Sequence, residues 1–290
     1  MLINLLKSIR PVQWMKNLLV FAGLIFAKDL GDPYKTSLVL QAFCVFCLIS
    51  SAGYLLNDVI DRERDRLHPL KRMRPLASGA LSMRACIWAA FAFIAVAFVW
   101  GIFLGGKFML VGAGYLVLNL LYSWFLKQVV IIDVMALSCG FVLRVLAGTL
   151  VIEVYTSPWL LLCTFLLSLF LGFGKRRHEL VLLEDEAAEH REVLVQYNPY
   201  LLDQMITIVT TSTLLCYILY TLSPETVSKV GSYDLLYSVP FVIYGIFRYL
   251  YLIHQRSAGG DPTQHVLTDL SLLISVACWF GCVFVVLYRG

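Results

Sequence analysis

Residues 37–65 read SLVLQAFCVFCLISSAGYLLNDVIDRERD. The stretch is apolar up to Leu56 and then turns abruptly acidic and basic. An apolar run of about 20 residues has the length that an α-helix needs to cross the hydrocarbon core of a bilayer. The stretch therefore predicts a membrane-spanning helix over residues 37–57 with charged groups at its end.

The rest of the chain has the same character. It has 290 residues, of which 60% are hydrophobic and 14% charged, more apolar than an ordinary soluble domain. Because lipid offers no partners to backbone groups, the spans must be helices. We predict an all-α integral membrane protein with a single domain over residues 1–290 and about nine spans: 11–28, 37–57, 83–103, 108–126, 129–151, 157–174, 201–222, 233–253 and 266–288.

Lysine and arginine decide the predicted orientation. They are concentrated in the loops that lie on the same side as the N-terminus, whereas the net charge of +4 is small. Cytoplasmic loops carry such an excess. We therefore expect a multi-pass protein of the inner (plasma) membrane, with its N-terminus and two long catalytic loops, about 57–82 and 175–200, in the cytoplasm. The eight cysteines lie mostly in apolar runs and are interpreted as packing residues.

The acidic segment predicts a metal site. At about 100° per residue, Asp58, Asp61 and Asp65 lie on one face of a helix. Carboxylate ligands completed by substrate phosphates are typical of Mg²⁺ sites. The alternative is a solvated acidic face that is neutralised by the neighbouring arginines.

A basic loop follows, because residues 68–79 read HPLKRMRPLASG. Arginine matches the geometry of phosphate oxygens, and lysine adds a point charge. Lys71, Arg72 and Arg74 therefore predict a phosphate-binding loop, unless they only hold anionic lipid headgroups. Next to the acidic segment, the loop would complete a clamp that stabilises a departing diphosphate.

Together these motifs resemble a known family. The pattern N-D-x-x-D-x-x-x-D at the end of the second span resembles the first aspartate-rich motif of UbiA-superfamily transferases, and the resemblance extends over essentially the whole chain. Several segments look like the decaprenyl-phosphate phosphoribosyltransferase branch: RPVQWMKN (10–17), the loop 68–79, YSWFLK (122–127), GFVLR (140–144) and GKRRHEL (174–180).

The resemblance implies a UbiA-type helical fold with a central cavity open to the cytoplasm. It also implies Mg²⁺-dependent transfer of 5-phosphoribose from phosphoribosyl diphosphate (PRPP) to a polyprenyl phosphate, for cell-envelope precursors. Asn57 would orient the metal site, and Tyr122 and Lys127 would flank the reacting centre. The expected partners are these substrates and lipid, with a homotrimer allowed and no nucleic acid.

The sequence departs from the aromatic prenyltransferases of the superfamily in two places. Tyr122 and Lys127 are five residues apart instead of four, and Lys175 and Arg176 stand where a second aspartate-rich motif is usual. Asp185 and Glu189 could replace that motif, although an exposed acidic helix explains them more simply. Since PRPP carries an additional phosphate, we interpret Lys175 and Arg176 as substrate-binding cations.

Among the charged residues inside predicted spans we single out Asp133, Arg144 and Lys16, since charge there usually marks a cavity or a pathway. Asp133 could orient a donor hydroxyl or Lys127. Arg144 could contact the acceptor or pair with polar groups between helices. Lys16 could reach a phosphate or the lipid headgroups. Gly140 and Gly148, on the same stripe as Asp133 and Arg144, would allow a ligand or a helix to approach closely.

Two other functions remain open at this point. One is a UbiA-type polyprenyltransferase that acts on an aromatic acceptor such as 4-hydroxybenzoate. The other is a transporter or lipid-binding channel, for which the acidic motif has no counterpart in the second half of the chain. A donor competition assay would distinguish the two enzymes, because PRPP should protect a phosphoribosyltransferase and a prenyl diphosphate should protect a prenyltransferase. Uptake of a solute into proteoliposomes without any turnover would indicate the transporter.

Overall fold

The computed structural model describes residues 2–67, 71–183, 194, 196–255 and 268–289. Within these ranges the regular structure is helical, which confirms the predicted all-α class. The chain forms two compact units, Met1–Thr156 and Ser157–Gly290. The single domain over residues 1–290 stays a prediction, and the predicted loop 175–200 is only partly described, because 184–193 and 195 lie outside the described residues.

The first unit contains a short N-terminal helix, a long 3-10 segment and the helices that carry most of the predicted site. The 3-10 segment covers Pro11–Phe21, and two short 3-10 turns cover Lys71–Met73 and Leu126–Gln128. The α-helices are α1 Leu2–Ser8, α2 Ala22–Phe26, α3 Pro33–Ile60, α4 Arg62–Leu67, α5 Met83–Ile102, α6 Gly106–Trp124 and α7 Ile132–Val151.

The second unit begins with the longest of its helices. Its α-helices are α8 Pro158–Leu183, α9 Pro199–Leu222, α10 Pro224–Val230, α11 Val239–Gln255 and α12 Leu270–Tyr288, and a 3-10 helix covers Asp234–Ser238. Short polar side chains begin helices in both units. Asp32 caps α3 by accepting hydrogen bonds from the backbone of Tyr34 and Lys35, and Asn198 caps α9. Such caps satisfy backbone donors that a helix cannot satisfy itself.

Eight of the described helices are long and apolar enough to cross a membrane. The protein is therefore a multi-pass membrane protein, as predicted. The predicted first span, 11–28, corresponds to a shorter apolar helix, Pro11–Phe26. Most of it is wound as a 3-10 helix, which rises about 2.0 Å per residue instead of 1.5 Å. This winding extends it to roughly 30 Å, the thickness of the hydrocarbon core.

Helix α3 organises the first unit. It packs against the 3-10 segment and against α5, α6 and α7. Phe46 lies at the centre of this core, with ring centroids 5.9 Å from Phe108 and 5.4 Å from Tyr115. At 1.5 Å per residue its 28 residues extend about 42 Å, longer than the hydrocarbon core. The end of α3 is therefore able to carry its acidic residues out of the apolar layer.

Gly148 fixes the 3-10 segment against α7. A Cβ atom at this position would overlap the backbone carbonyl oxygen of Val20. A Cβ atom at Gly23 of α2 would lie 2.6 Å from Cγ2 of Thr149 in α7, which is also too close. Small residues allow membrane helices to approach backbone to backbone. The close approach predicted for Gly148 is thus made by a helix of the protein itself.

Candidate active site

The acidic residues lie where α3 gives way to α4. The backbone N–H of Asp61 donates to the carbonyl of Asn57 over 2.9 Å, and that of Asp65 donates to the carbonyl of Asp61 over 2.8 Å. Helical hydrogen bonding therefore continues across the break between the two helices. As a result Asp58, Asp61 and Asp65 keep the helical spacing that the sequence suggested.

Two guanidinium groups neutralise the buried carboxylates. Asp58 is 2% exposed, and its Oδ1 accepts hydrogen bonds from Nη2 of Arg10 and, over 3.3 Å, from Nη1 of Arg74. The same Nη1 of Arg74 donates to Oδ2 of Asp65 over 2.6 Å. One cationic nitrogen is thus shared by two carboxylates. Removing one partner from such a buried group strongly destabilises a protein, because a charge is left uncompensated.

The basic loop delivers Arg74 to this position. The turn Lys71–Met73 packs on α4, and the carbonyl of Arg74 then accepts from the backbone N–H of Ser78 over 2.9 Å. Gly79 follows with φ of 80°, a conformation that favours glycine. Lys71 is half-buried, and Arg72 is exposed. His68, Pro69 and Leu70 lie outside the described residues.

Lys127 holds the third carboxylate. Its Nζ forms an ion pair with Oδ1 of Asp61, and its side chain is only 9% exposed. Lys127 lies in the 3-10 turn after α6, so the extra residue that separates it from Tyr122 falls where the helix changes to a turn. Tyr122 is half-buried on α6. Lys127 therefore belongs to the acidic site, while its contact with substrate stays a prediction.

Burial also affects the acidity of the site. The pKa of the Asp65 carboxyl is raised by its burial, although the guanidinium of Arg74 and the ammonium of Lys71 both lower it. Burial therefore disfavours the charged form of the Asp65 carboxyl more than its two cationic neighbours favour it.

The same residues suit a magnesium ion in their chemistry. Their donors are carboxylate oxygens, which Mg²⁺ prefers, and Arg74 shows that Asp58 and Asp65 can surround one positive charge. In the described part of the chain, no three His, Cys, Asp or Glu side chains are grouped closely enough to hold an ion in this conformation. The donor chemistry therefore suits Mg²⁺, and the magnesium site formed by Asp58, Asp61 and Asp65 stays a prediction.

A second polar cluster of the first unit lies within its spans. Arg144 is 4% exposed. Its Nε donates to Oδ1 of Asn17 over 2.8 Å, its Nη1 to the Gly140 carbonyl over 2.8 Å, and its Nη2 to the Tyr115 hydroxyl over 2.6 Å. Asn17 in turn donates to Ser50 over 3.1 Å. Arg144 thus links the 3-10 segment, α6 and α7, and its contact with the acceptor stays a prediction.

Two other intramembrane residues lie in the same unit. Asp133 is fully buried in the first turn of α7, and Lys16 is half-buried on the 3-10 segment. Substrate binding by either residue stays a prediction.

The sequence did not single out Arg10, Asn17 or Tyr115 as site residues. Arg10 and Asn17 belong to the segment RPVQWMKN, so the polar residues of that otherwise apolar segment were the available signal. Their partners are 48 and 127 residues away along the chain. No local pattern indicates pairs at such separations.

The cations predicted near the start of the second loop lie in the second unit. Arg176 is 2% exposed, and its Nη1 donates to Glu179 over 2.6 Å. Nζ of Lys175 lies 3.9 Å from the same carboxylate. The role of Lys175 and Arg176 in binding substrate stays a prediction, and Asp185 and Glu189 lie outside the described residues.

Comparison with known proteins agrees with the sequence motifs. The UbiA prenyltransferase family matches residues 17–273. The decaprenyl-phosphate phosphoribosyltransferase of Mycolicibacterium smegmatis is 34% identical, over 98% of this chain and 92% of that protein. The enzyme of the same name from Corynebacterium glutamicum is also 34% identical, over 98% of this chain and 87% of that protein.

Solved structures show the same fold. A UbiA homolog from Archaeoglobus fulgidus, bound to GPP and Mg2+, superposes with a TM-score of 0.71 at 20% identity, and the match covers 98% of this chain and 99% of that one. The family match and the relatives confirm the resemblance that the motifs implied. The chain belongs to the UbiA prenyltransferase family and is a multi-pass membrane transferase.

Proposed function

We propose that the protein transfers 5-phosphoribose from PRPP to a polyprenyl phosphate of the decaprenyl type, with Mg²⁺, and releases diphosphate. The observation that carries the proposal is the cluster at the end of α3. There Asp58 pairs with Arg10 and Arg74, Asp65 pairs with the same Arg74, and Asp61 pairs with Lys127. The similarity to the two decaprenyl-phosphate phosphoribosyltransferases supports the choice of substrates.

The reaction is a displacement at the anomeric carbon of the ribose. The bond from this carbon to the diphosphate breaks, and its electron pair leaves with the diphosphate. An oxygen of the lipid phosphate forms the new bond to the same carbon. Because that oxygen is already anionic, the step needs no general base.

The residues of the site have separate tasks in this scheme. Asp58, Asp61 and Asp65 would hold Mg²⁺, which supplies positive charge against the leaving diphosphate when it is bound. Arg74 and Lys127 lie where they can neutralise further charge on the donor. Arginine and lysine in a site that excludes water are effective at this, since they need no reorganisation as negative charge develops.

The location of the site follows from the same proposal. The end of α3 and the basic loop would lie on the cytoplasmic side of the inner membrane, where a soluble phosphorylated donor is available. The lipid phosphate would reach the site from the bilayer, and the product would serve the synthesis of cell-envelope polysaccharide. The concentration of Lys and Arg on this side supports the orientation.

Transfer of labelled 5-phosphoribose from PRPP to polyprenyl phosphate by the purified protein tests the proposal. We expect Mg²⁺-dependent transfer, with a rate that Asp58→Asn lowers by about 100-fold. Glu63→Gln is a matched control, because Glu63 is an acid of α4 whose side chain is 73% exposed. Equal transfer by the wild type and by Asp58→Asn would contradict the assignment of the site.

A second candidate is transfer of a prenyl group to an aromatic acceptor. The A. fulgidus homolog was solved with GPP and Mg2+, which favours testing it. The two functions differ in the donor that the site accepts. Transfer from a prenyl diphosphate to 4-hydroxybenzoate, without any transfer from PRPP, would overturn the first proposal in favour of the second.

A further inference from the structure

Arg10 adopts a conformation that residues other than glycine rarely adopt. Its φ is 52° and its ψ is 65°, in the left-handed region, where α1 ends and the 3-10 segment begins. A side chain with a Cβ atom is strained in this region, and such strain persists where the surrounding structure holds it. The chain thus turns at a residue that carries a side chain.

The strained backbone directs the Arg10 side chain to Asp58. Its guanidinium lies 5.1 Å from the ring centroid of Tyr54 and forms an ion pair with Asp58. The side chains of Arg10 and Arg74 are both 26% exposed, whereas that of Asp58 is 2% exposed. The two guanidinium groups therefore lie between the buried carboxylate and the space from which a ligand would come.

The ion pairs of this cluster are balanced. Arg10, Arg74 and Lys127 pair with Asp58, Asp65 and Asp61, and the ammonium of Lys71 adds further positive charge near Asp65. A divalent cation added to this cluster alone would leave at least two uncompensated positive charges in a partly buried place, which is unfavourable. A diphosphate added together with the cation restores the balance. Metal and diphosphate are therefore expected to bind cooperatively. Such cooperativity requires cationic side chains that leave a carboxylate and bind the diphosphate instead.

We propose that Arg10 is an exchange cation. Without a metal it neutralises Asp58, and when a metal ion takes Asp58, the guanidinium of Arg10 turns to the diphosphate of the donor. Arg74, which contacts the same Oδ1 of Asp58, makes the corresponding exchange. The inference rests on the proposed function only in that the donor carries a diphosphate. A planar guanidinium suits both partners, since it donates two parallel hydrogen bonds to a carboxylate or a phosphate.

A permanent structural ion pair would behave differently from an exchange cation. If Arg10 only stabilised the fold, its removal would weaken the binding of every ligand, or of none. If Arg10 competes with the metal for Asp58 and then binds phosphate, its removal changes the two affinities in opposite directions. The metal then binds more tightly because Arg10 no longer competes with it for Asp58. Diphosphate binds more weakly because the hydrogen bonds from the Arg10 guanidinium are lost.

The test measures both affinities on the purified full-length protein. Binding of Mn²⁺ alone is followed by the electron paramagnetic resonance signal of the free ion. Binding of inorganic diphosphate is followed by calorimetry at saturating Mg²⁺. For Arg10→Gln we expect Mn²⁺ to bind about fivefold more tightly and diphosphate about fivefold more weakly, the lower end of usual coupling between two ligands. Changes in the same direction, or no change, would overturn the proposal.

Two further variants make the result specific. Arg66→Gln is the matched control, because Arg66 pairs with the exposed Glu63 on its own helix, and both affinities should stay at the wild-type value. Arg10→Lys keeps the positive charge but loses the two parallel hydrogen-bond donors of the guanidinium. The affinity for Mn²⁺ should therefore stay near the wild-type value, while the affinity for diphosphate falls. If Arg10→Gln does not fold, Arg10→Lys decides alone, and equal weakening of both ligands would overturn the proposal.

Neither measurement contains a ribose or a lipid. Failure of PRPP transfer would therefore leave the exchange untouched, because a prenyl diphosphate donor carries the same diphosphate. Conversely, unchanged affinities in Arg10→Gln would leave the proposed transfer reaction standing and remove only the exchange.

Discussion

The two polar clusters of the first unit stabilise charge in opposite ways. At the end of α3, three carboxylates face three cations, and the side chains of two of those cations are 26% exposed. Inside the spans, Arg144 is 4% exposed, and its guanidinium donates hydrogen bonds to three neutral oxygens. Charged pairs whose cations are partly exposed can exchange partners with a ligand. A buried cation bound by fixed neutral groups instead holds helices together.

The 3-10 segment connects the two clusters. It follows directly on Arg10, which contacts the acidic site, and it carries Asn17, which contacts Arg144. A change at Arg144 is therefore expected to affect the acidic site only through the position of this segment, whereas a change at an aspartate acts on the chemistry directly.

The largest effect is expected from Asp61→Asn. The substitution removes from the proposed metal site the carboxylate that pairs with the buried Lys127. Removal of a single electrostatic group in an active site lowers rates by about 100- to 1000-fold, and we expect a loss of this order in the rate of phosphoribosyl transfer. A kinetic assay at saturating Mg²⁺ measures it. A loss of less than about threefold would show that this cluster is not where the chemistry occurs.

Arg144→Met is expected to act on stability instead. It removes three hydrogen bonds to a charged group, which we expect to lower the free energy of unfolding by about 2–4 kcal/mol, less than the sum for soluble proteins. Denaturant unfolding in detergent measures the change, and Arg84→Met at the exposed start of α5 is the control. An increased KM for polyprenyl phosphate at unchanged stability would instead make Arg144 a ligand contact.

Gly148→Ala tests the attachment of the 3-10 segment to α7. The added Cβ would overlap the Val20 carbonyl oxygen, and overpacking of this kind lowers stability by about 1–3 kcal/mol. Gly114→Ala is the control, because a Cβ at Gly114 meets nothing within 4 Å. Thermal unfolding of the two variants should differ clearly. Equal midpoints would mean that the segment does not depend on this close approach.

Tyr115→Phe should have the smallest effect. It removes one hydrogen bond to Arg144 and keeps the ring, which packs on Phe46. Hydrogen bonds between membrane helices contribute about 0.6 kcal/mol on average and at most about 1.7 kcal/mol. The substitution should therefore lower the free energy of unfolding by an amount within this range. The control Tyr34→Phe, at the exposed start of α3, should leave the free energy of unfolding unchanged. A decrease in the free energy of unfolding as large as that of Arg144→Met would show that the Tyr115 hydroxyl contributes most of the stability that the cluster provides.

The sequence predicted what depends on local periodicity. The spacing of Asp58, Asp61 and Asp65 placed them on one face, because helical hydrogen bonding continues from Asn57 to Asp65. Apolar run lengths located the spans, and the motifs implied the family. The 3-10 winding of Pro11–Phe21 was not visible, because tertiary packing against Gly148 rather than residue preference holds it in place.

Pairings between distant residues could not be predicted. Lys127 reaches Asp61 across 66 residues, and Arg144 reaches Asn17 across 127. A lysine or an arginine can pair with many acidic or polar residues of the sequence, and only the folded structure determines which of them is close enough. For Arg144 the sequence left contact with the acceptor and pairing between helices open, and the structure shows the pairing.

Binding of Mn²⁺ to the wild type, Asp58→Asn and Glu63→Gln tests the central claim most directly, since it requires no knowledge of either substrate. If the carboxylates at the end of α3 hold the metal, the wild type and Glu63→Gln bind Mn²⁺ equally and Asp58→Asn loses at least about tenfold in affinity, the loss expected when a site loses one of its ligand groups. Equal affinity in all three proteins would contradict the account.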